Sequence, residues 1–310
     1  MKRNIDKNLT NIQNFFHLMC FEQNATREEV FNFLQELIKY VFKINNIKLD
    51  DYTINIHFVK EEDKKQKTKK QESKQSIENR LFSDNTNAIM FADNKDPYLF
   101  DIYMPMEFSS LKPTKEENHR KKQKTKNKNV VETEQDMLSQ KTFERVSNVE
   151  DFITFIFNFL HEVAHIVQYV KTPNKMKKYD VAIDEMQRNK DLVELCLENN
   201  KDKRILLKTI EKYTSAQGYV APYELDANEK AHDYFKSIIL KTLKTIEDVE
   251  LEDFLCMTQK FLDDTKMFDI AQAYIFDQFS EEAKQKLKQL KLDDTLFLHA
   301  SDYVYFTSED

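Results

Sequence analysis

The sequence predicts a mainly helical α+β fold, and three observations support this prediction. The 310 residues include a single glycine, Gly218, and no tryptophan, whereas glycine averages about 7% of residues in soluble proteins. Few glycines leave few left-handed turn positions, which disfavours a turn-rich all-β fold. Apolar residues recur with helical spacing through most of the chain after Ser147. Only three short segments before that point have the alternation of strands, so we expect a small sheet among many helices.

The first helix and the strands are predicted between residues 26 and 105. Thr26 and Glu29 form a capping box ahead of "VFNFLQELIKYVF", which predicts an amphipathic helix ending near Phe42. Apolar and polar residues then alternate in "DYTINIHFVK", as in a half-buried strand. The segments "NAIMFAD" and "YLFDIYMP" predict two more strands, which are separated by the turn-like "NKDP". Pro105 ends the last of them.

A second capping box, Ser147 with Glu150, predicts a helix from about Asn148 to Val170. The tail "TLFLHASDYVYF" is compatible with a short hairpin or a packed extended segment. We expect one domain over residues 1–244 and a helical extension over 245–310 packed on it. Further helices are predicted over 177–199, 201–214, 222–244, 247–264, 268–278 and 280–291.

Composition and charge restrict the class of protein. The net charge of −7 gives no general case for nucleic-acid binding. Cys20, Cys196 and Cys256 are far apart and form no CxxC pattern, so we expect reduced core cysteines of an intracellular protein. We expect no signal peptide, because the apolar stretch near the start is short and lacks a small-residue cleavage site, and we find no run of about 18 apolar residues. The sequence therefore predicts a cytoplasmic protein without a membrane segment.

Two lysine-rich stretches, about residues 60–80 and 110–136, have no hydrophobic period. This composition indicates surface loops or insertions into the domain. Binding to nucleic acid or another anionic surface is an alternative. Because neither stretch has interleaved aromatic residues for base stacking, solvated loops are the simpler expectation.

The segment "FLHEVAHIVQY" carries the chemistry. It places His161, Glu162 and His165 in a helix whose apolar residues occupy nearly the whole circumference, so the helix should be central. Buried ionisable groups are costly unless they are paired or bind a metal. Residues four apart project from the same helix face, so the two imidazoles can bind one Zn²⁺. The apolar residues are Phe152, Ile153, Phe155, Ile156, Phe159, Leu160, Val163, Ile166 and Val167.

Glu162 is the candidate general base. It follows the first histidine and would face the open coordination position, where it takes a proton from a metal-activated water and passes it to the leaving amine. By composition, an H-E-x-x-H match arises by chance on the order of once in a hundred chains like this one. Metal binding is therefore the better explanation of the motif.

A catalytic zinc usually has three protein ligands, so a third is needed. The metzincin extension is excluded because Gln168 and Lys171 stand where Gly and His would be required. The preferred third ligand is Glu224, in "GYVAPYELDANEKAHDYF". It lies near the start of a helix that we expect Pro222 to begin, and we expect the chain to bend at Gly218 just upstream. Asn228 lies one turn later and is a candidate partner for a histidine ligand. The alternatives for the third ligand are Glu185, Glu229 and His232.

"HEVAHIVQY" followed by "YELDANEKA" resembles the zincin metallopeptidases with a glutamate ligand, and most of all the minimal ImmA/IrrE-like zincins of bacteria and phages. The resemblance covers roughly residues 26–60, 86–105 and 147–240. It implies a zincin-like fold in which a small sheet packs on the HExxH helix. It also implies zinc ligands at His161, His165 and Glu224, and Glu162 as base. The long gap between the motifs, the lysine-rich insertions and the helices after 245 depart from the family pattern, so the substrate does not transfer.

The expected function is zinc-dependent hydrolysis of a peptide or protein, with one Zn²⁺ per chain and a bacterial or phage origin. In zincins an edge strand beside the zinc helix pairs with the extended substrate, and "YLFDIYMP" is our candidate for that edge. One alternative is a non-catalytic zincin-fold scaffold or regulator, since a fold does not fix a function. Another is a SprT-like protease tethered to DNA by the lysine-rich insertions. The oligomeric state is not predicted.

Overall fold

The computed structural model describes residues 7–21, 24–59, 88–93, 95–105, 142–144, 149–199, 201–264 and 279–292. Both lysine-rich stretches, the predicted helix over 268–278 and the predicted tail segment lie outside these residues. The helices are α1 (Lys7–Phe21), α2 (Arg27–Ile44), α3 (Val149–Lys171), α4 (Pro173–Glu198), α5 (Lys203–Leu243), α6 (Val249–Asp264) and α7 (Glu281–Gln289), with a 3-10 turn at Leu49–Asp51. The strands are β1 (Asn24–Thr26), β2 (Thr53–Val59), β3 (Ile89–Ala92), β4 (Leu99–Pro105) and β5 (Thr142–Glu144).

The prediction of a mainly helical α+β fold is confirmed. The helices α2, α3, α4, α6 and α7 and the strands β2, β3 and β4 lie where the sequence predicts them, within a few residues. The helix α1 and the two short strands β1 and β5, which pair antiparallel, were not predicted. None of the described helices is both long and apolar enough to cross a membrane.

The chain forms two compact units, which are residues 1–163 with 233–264 and residues 164–232 with 265–310. The helices α3 and α5 each continue through the boundary between these ranges, so each contributes to both units. The predicted division into a domain over 1–244 and an extension over 245–310 is not tested by these units and stays a prediction.

In the first unit, α2 buries the apolar stripe that the sequence predicts. Its members recur every three or four residues, so they share one helix face, and Phe33 stacks on Phe15 of α1 at a centroid distance of 3.6 Å. Burial of such a stripe, rather than helix propensity, supplies most of the stability of a helix this long. The stripe consists of Val30, Phe33, Leu34, Leu37, Ile38 and Val41.

The three-stranded sheet of this unit has the order β2-β4-β3, with β2 parallel and β3 antiparallel to β4. The prediction that "YLFDIYMP" forms an edge strand is therefore wrong, because β4 is hydrogen-bonded on both sides. A central strand has no free row of backbone groups for an added peptide. The strand is also the most buried of the three, since Phe100, Ile102 and Met104 are each at most 2% exposed.

The 41-residue helix α5, most of which belongs to the second unit, corrects another prediction. We expected two helices separated near Gly218 and Pro222, but both residues lie inside one continuous helix. Proline lacks the N–H that would bond the carbonyl four residues earlier, and here that carbonyl belongs to Gly218. Since Gly218 is exposed, water can hydrate the freed carbonyl. Packing on both sides of this point, with Tyr213 and Ala227 fully buried, holds the helix together.

Two helices end in a left-handed residue that is not glycine. Asn46 after α2 and Lys291 after α7 each have φ of 56°. At both ends the next residue donates its N–H five residues back, Ile47 to Phe42 and Leu292 to Leu287, each at 2.9 Å. This is the Schellman arrangement, in which glycine is the usual left-handed residue. The chain thus ends these helices with asparagine and lysine, while its one glycine lies within a helix.

Candidate metal centre

The helix α3 brings two histidines and a glutamate into an apolar environment. His165 and Glu162 are buried, at 4% and 9% exposure, and His161 is half-buried. The neighbours Leu160, Val163 and Ala164 are fully buried. Because α3 is one continuous helix, it holds His161 one turn before His165, with both side chains on the same face.

Glu224 of α5 joins the two histidines. One donor atom from each of His161, His165 and Glu224 lies within 4.8 Å of the others, so the group could hold a metal ion. Among the described residues, no other group of three or more histidine, cysteine or acidic residues is so arranged. The three predicted ligands thus lie together as a group that could hold a metal ion, and zinc as that ion remains a proposal.

The distance between His165 and Glu224 fits a shared ion. Nε2 of His165 lies 3.4 Å from Oε2 of Glu224. Two ligand atoms at about 2.0–2.1 Å from a tetrahedral Zn²⁺ are themselves about 3.3–3.4 Å apart, because the ion subtends the tetrahedral angle between them. The two atoms therefore already have the separation of neighbouring zinc ligands. Two imidazoles and one carboxylate are also the donor set of many catalytic zinc sites.

His165 and Glu224 each have a hydrogen-bonding partner outside the metal-binding group. Nδ1 of His165 lies 2.8 Å from Oε1 of Gln168, one turn later on α3. The hydroxyl of Tyr179, on α4, donates to Oε1 of Glu224, the oxygen that does not face His165. The Tyr179 ring also lies beside the His165 ring, with centroids 5.7 Å apart. Such outer partners orient metal ligands and are a regular part of metal sites.

A tyrosine–aspartate pair lies close to these ligands. The hydroxyl of Tyr169 donates to Asp180. Burial raises the pKa of Asp180 and the charge of Asp184 adds to this, while the hydrogen bond from Tyr169 opposes it. Burial, Asp180 and the charge of Glu224 together raise the pKa of Tyr169 far above its usual value. The Tyr169 hydroxyl therefore remains protonated and acts as a donor.

The alternative third ligands are outside the group. Glu185 is exposed on α4, and its main-chain oxygen accepts a hydrogen bond from Asn189 at 2.7 Å. Glu229 is also exposed, and His232 is half-buried two turns after Glu224 on α5. Only Glu224 among the four candidates is part of the described group.

Sequence reasoning missed the partners of the ligands. In the sequence, Gln168 served only to exclude the metzincin extension, and no pattern distinguished Tyr179 from the other twelve tyrosines. The spacing of Gln168, three residues after His165, placed it on the histidine's face of the helix and was the available signal. Asn228, our candidate partner for a histidine, is half-buried on α5, and its predicted contact stays a prediction.

No family model, curated protein or solved structure matches this chain. The resemblance to zincins therefore depends on the two motifs and on the geometry of the metal-binding group.

Proposed function

We propose that the protein is a zinc-dependent metallopeptidase of the zincin type. The observation that carries the proposal is the grouping of His161, His165 and Glu224, with His165 and Glu224 already separated like two ligands of one zinc ion. This grouping joins residues that are far apart in sequence, so it is independent of the HExxH pattern itself. A metal-binding group with a buried glutamate next to its first histidine is what a hydrolytic zinc site requires.

In this proposal the three side chains hold Zn²⁺, which supplies Lewis-acid chemistry by acidifying water and polarising a peptide carbonyl. Glu162 accepts a proton from the attacking water and later delivers it to the nitrogen of the leaving amine. The products are a carboxylic acid and an amine, so one water is consumed for each bond cleaved. The 9% exposure of Glu162 isolates this proton transfer from bulk solvent.

The test is the substitution Glu162→Gln, with Glu185→Gln as the matched control on an exposed surface. Both proteins should retain about one zinc per chain, as expected for a site with three ligands. Cleavage of a proteome-derived peptide library, read as new N-termini by mass spectrometry, should fall by about 10²–10⁴-fold in Glu162→Gln, because general-base catalysis is lost. Glu185→Gln should cleave like the wild type.

Two outcomes contradict the proposal. A wild-type protein that takes up no zinc on titration overturns the metal centre. A wild-type protein that binds zinc but produces no new N-termini beyond those of Glu162→Gln overturns the peptidase activity, and leaves a metal-loaded binding protein as the function.

A further inference from the structure

The amide of Gln168 joins the HExxH helix to the helix that carries Glu224. Gln168 is 5% exposed. Its Oε1 lies 2.8 Å from Nδ1 of His165, and its Nε2 donates to two acceptors on α5. These are the main-chain oxygen of Tyr223 at 2.9 Å and Oδ2 of Asp226 at 2.6 Å. The Gln168 side chain thus contacts the candidate ligand His165 on α3, and on α5 it contacts one residue before Glu224 and one residue after it.

The acceptors on α5 determine which way the amide points. A carbonyl oxygen and an ionised carboxylate can only accept hydrogen bonds, so the group facing them must be the NH₂ of Gln168. The oxygen of Gln168 therefore faces His165 and must receive a proton from it. Lys230 donates to the same oxygen of Asp226, which keeps this carboxylate in place as an acceptor.

The orientation of the amide in turn determines the tautomer of His165. A neutral imidazole carries one proton, and the acceptor 2.8 Å from Nδ1 holds that proton in preference to the Glu224 oxygen, which lies 3.4 Å from Nε2. The lone pair of the ring is then on Nε2, the atom that lies 3.4 Å from Glu224. Without the acceptor, a neutral ring could carry its proton on Nε2, where it would have to be lost before a metal could bind.

We propose that Gln168, oriented by Asp226, is a positioning residue that prepares His165 for the metal before the metal arrives. This inference rests on the metal centre of the proposed function and assigns two residues, Gln168 and Asp226, that do not contact the ion. The hydrogen bonds run from Asp226 through Gln168 to Nδ1 of His165, and they fix both the ring and its lone pair. Outer partners of this kind typically change metal affinity 10–100-fold when removed.

The first test needs no metal. Imidazole ¹⁵N shifts of the metal-free wild type, recorded at a pH where the ring is neutral, should place the proton of His165 on Nδ1. In Gln168→Leu a substantial fraction of the rings should carry it on Nε2. A proton on Nε2 in the wild type, or an unchanged spectrum in the variant, would overturn the proposal.

The second test measures zinc affinity by competition with a chromophoric chelator. Gln168→Leu should bind Zn²⁺ about 10–100-fold more weakly than the wild type. The control Gln217→Leu removes an equally buried amide from α5 and should bind within about twofold of the wild type, since Gln217 has no hydrogen-bond partner among the described residues. Equal affinity of the wild type and Gln168→Leu would contradict the positioning role.

A third variant keeps the test valid if Gln168→Leu folds poorly. In Gln168→Glu with Asp226→Asn, a carboxylate still accepts from His165, and the hydrogen bond between positions 168 and 226 is kept with its direction reversed. The hydrogen bond to the main-chain oxygen of Tyr223 is lost in both the single and the double variant. This double variant should bind zinc more tightly than Gln168→Glu alone, in which two carboxylates face each other. A double variant no better than the single one would oppose the proposal. If the wild type binds no zinc, the metal centre fails, and the tautomer spectrum then reports on the hydrogen bonds separately.

Discussion

Two glutamine side chains, Gln168 and Gln217, are buried in the unit that contains Glu224, and their surroundings are opposite. Gln168 is 5% exposed, and its side-chain amide forms hydrogen bonds with His165 and with Tyr223 and Asp226 of α5. Gln217 is 2% exposed, and both its amide oxygen and its amide nitrogen have no hydrogen-bond partner among the described residues. It lies seven residues before Glu224, on the same face of α5.

The difference between the two glutamines shows which buried polar side chains are candidates for a functional role in this protein. A buried amide without partners loses its hydration and receives nothing in return, which costs about 1–3 kcal/mol. An amide with every partner supplied instead rigidifies its surroundings and specifies one arrangement. Burial alone therefore does not mark a functional residue. The distinguishing feature is the connection of Gln168 to a metal ligand and to the helix bearing another ligand.

The largest effect is expected from removing the third candidate ligand, Glu224. Glu224→Ala should lose its zinc on dialysis, because each ligand contributes several kcal/mol to the binding of a zinc ion. Glu185→Ala should retain about one zinc per chain, as does the wild type. Metal analysis of the three purified proteins checks this. Loss of zinc from Glu185→Ala with retention in Glu224→Ala would make Glu185 the third ligand instead.

The second prediction concerns the sign of the two glutamine substitutions in the metal-free protein. Gln217→Leu should increase the free energy of unfolding by about 1 kcal/mol, because it removes a buried amide that has no partner. Gln168→Leu should decrease it by about 1–3 kcal/mol, because the buried His165 loses the hydrogen-bond acceptor at its Nδ1. Thermal unfolding measures both, and a change of this size moves Tm by about 2–4 °C per kcal/mol.

If Gln217→Leu is instead destabilising by a similar amount, Gln217 has a partner such as a buried water. In that case the two glutamines differ only in the identity of their partners, and the contrast between a partnered and an unpartnered buried amide is wrong.

The smallest effect is expected for Asp180→Asn, and its sign depends on pH. Burial raises the pKa of Asp180 in the folded protein, so the folded state holds this proton to higher pH than the unfolded chain does. Stability from this group is therefore present below the unfolded-state pKa of about 3.9 and is lost as pH rises through the folded-state pKa. Asparagine carries no charge and avoids that loss, while its side-chain oxygen can still accept from Tyr169.

Urea unfolding of the metal-free proteins at a series of pH values checks this prediction. Asp180→Asn should be more stable than the wild type near pH 7, and the difference should shrink as the pH falls towards about 4. Equal destabilisation at every pH would mean that Asp180 acts only through the geometry of its hydrogen bond.

Much of the fold could be predicted from local patterns. The apolar stripe of α2, the alternation in β2 and the continuous apolar circumference of α3 each identify an element without knowledge of its neighbours. The division of α5 was wrong because Gly218 and Pro222 are strong local signals that packing overrides. The prediction of β4 as an edge strand was wrong because the order of strands depends on which strand β3 pairs with, and no local sequence pattern indicates that pairing.

The candidate site divides in the same way. His161, Glu162 and His165 follow from their spacing on one helix, and Glu224 follows from the second motif, "YELDANEKA". The role of Gln168 depends on contacts 55 and 58 residues away in sequence, to Tyr223 and Asp226. Such contacts exist only once two helices have packed together, so sequence spacing could not predict them.

The hydrogen bond between Gln168 and Asp226 also bears on how proteins of this kind diverge. It connects the last position of "HEVAHIVQ" to the fourth of "YELDA", so a substitution at either position is tolerated best with a matching one at the other. Glutamate with asparagine would keep this hydrogen bond with its direction reversed, but it would lose the one that Gln168 donates to the main-chain oxygen of Tyr223. A pattern of two linked positions, 58 residues apart in this chain, is a more selective signature for distant relatives than HExxH alone.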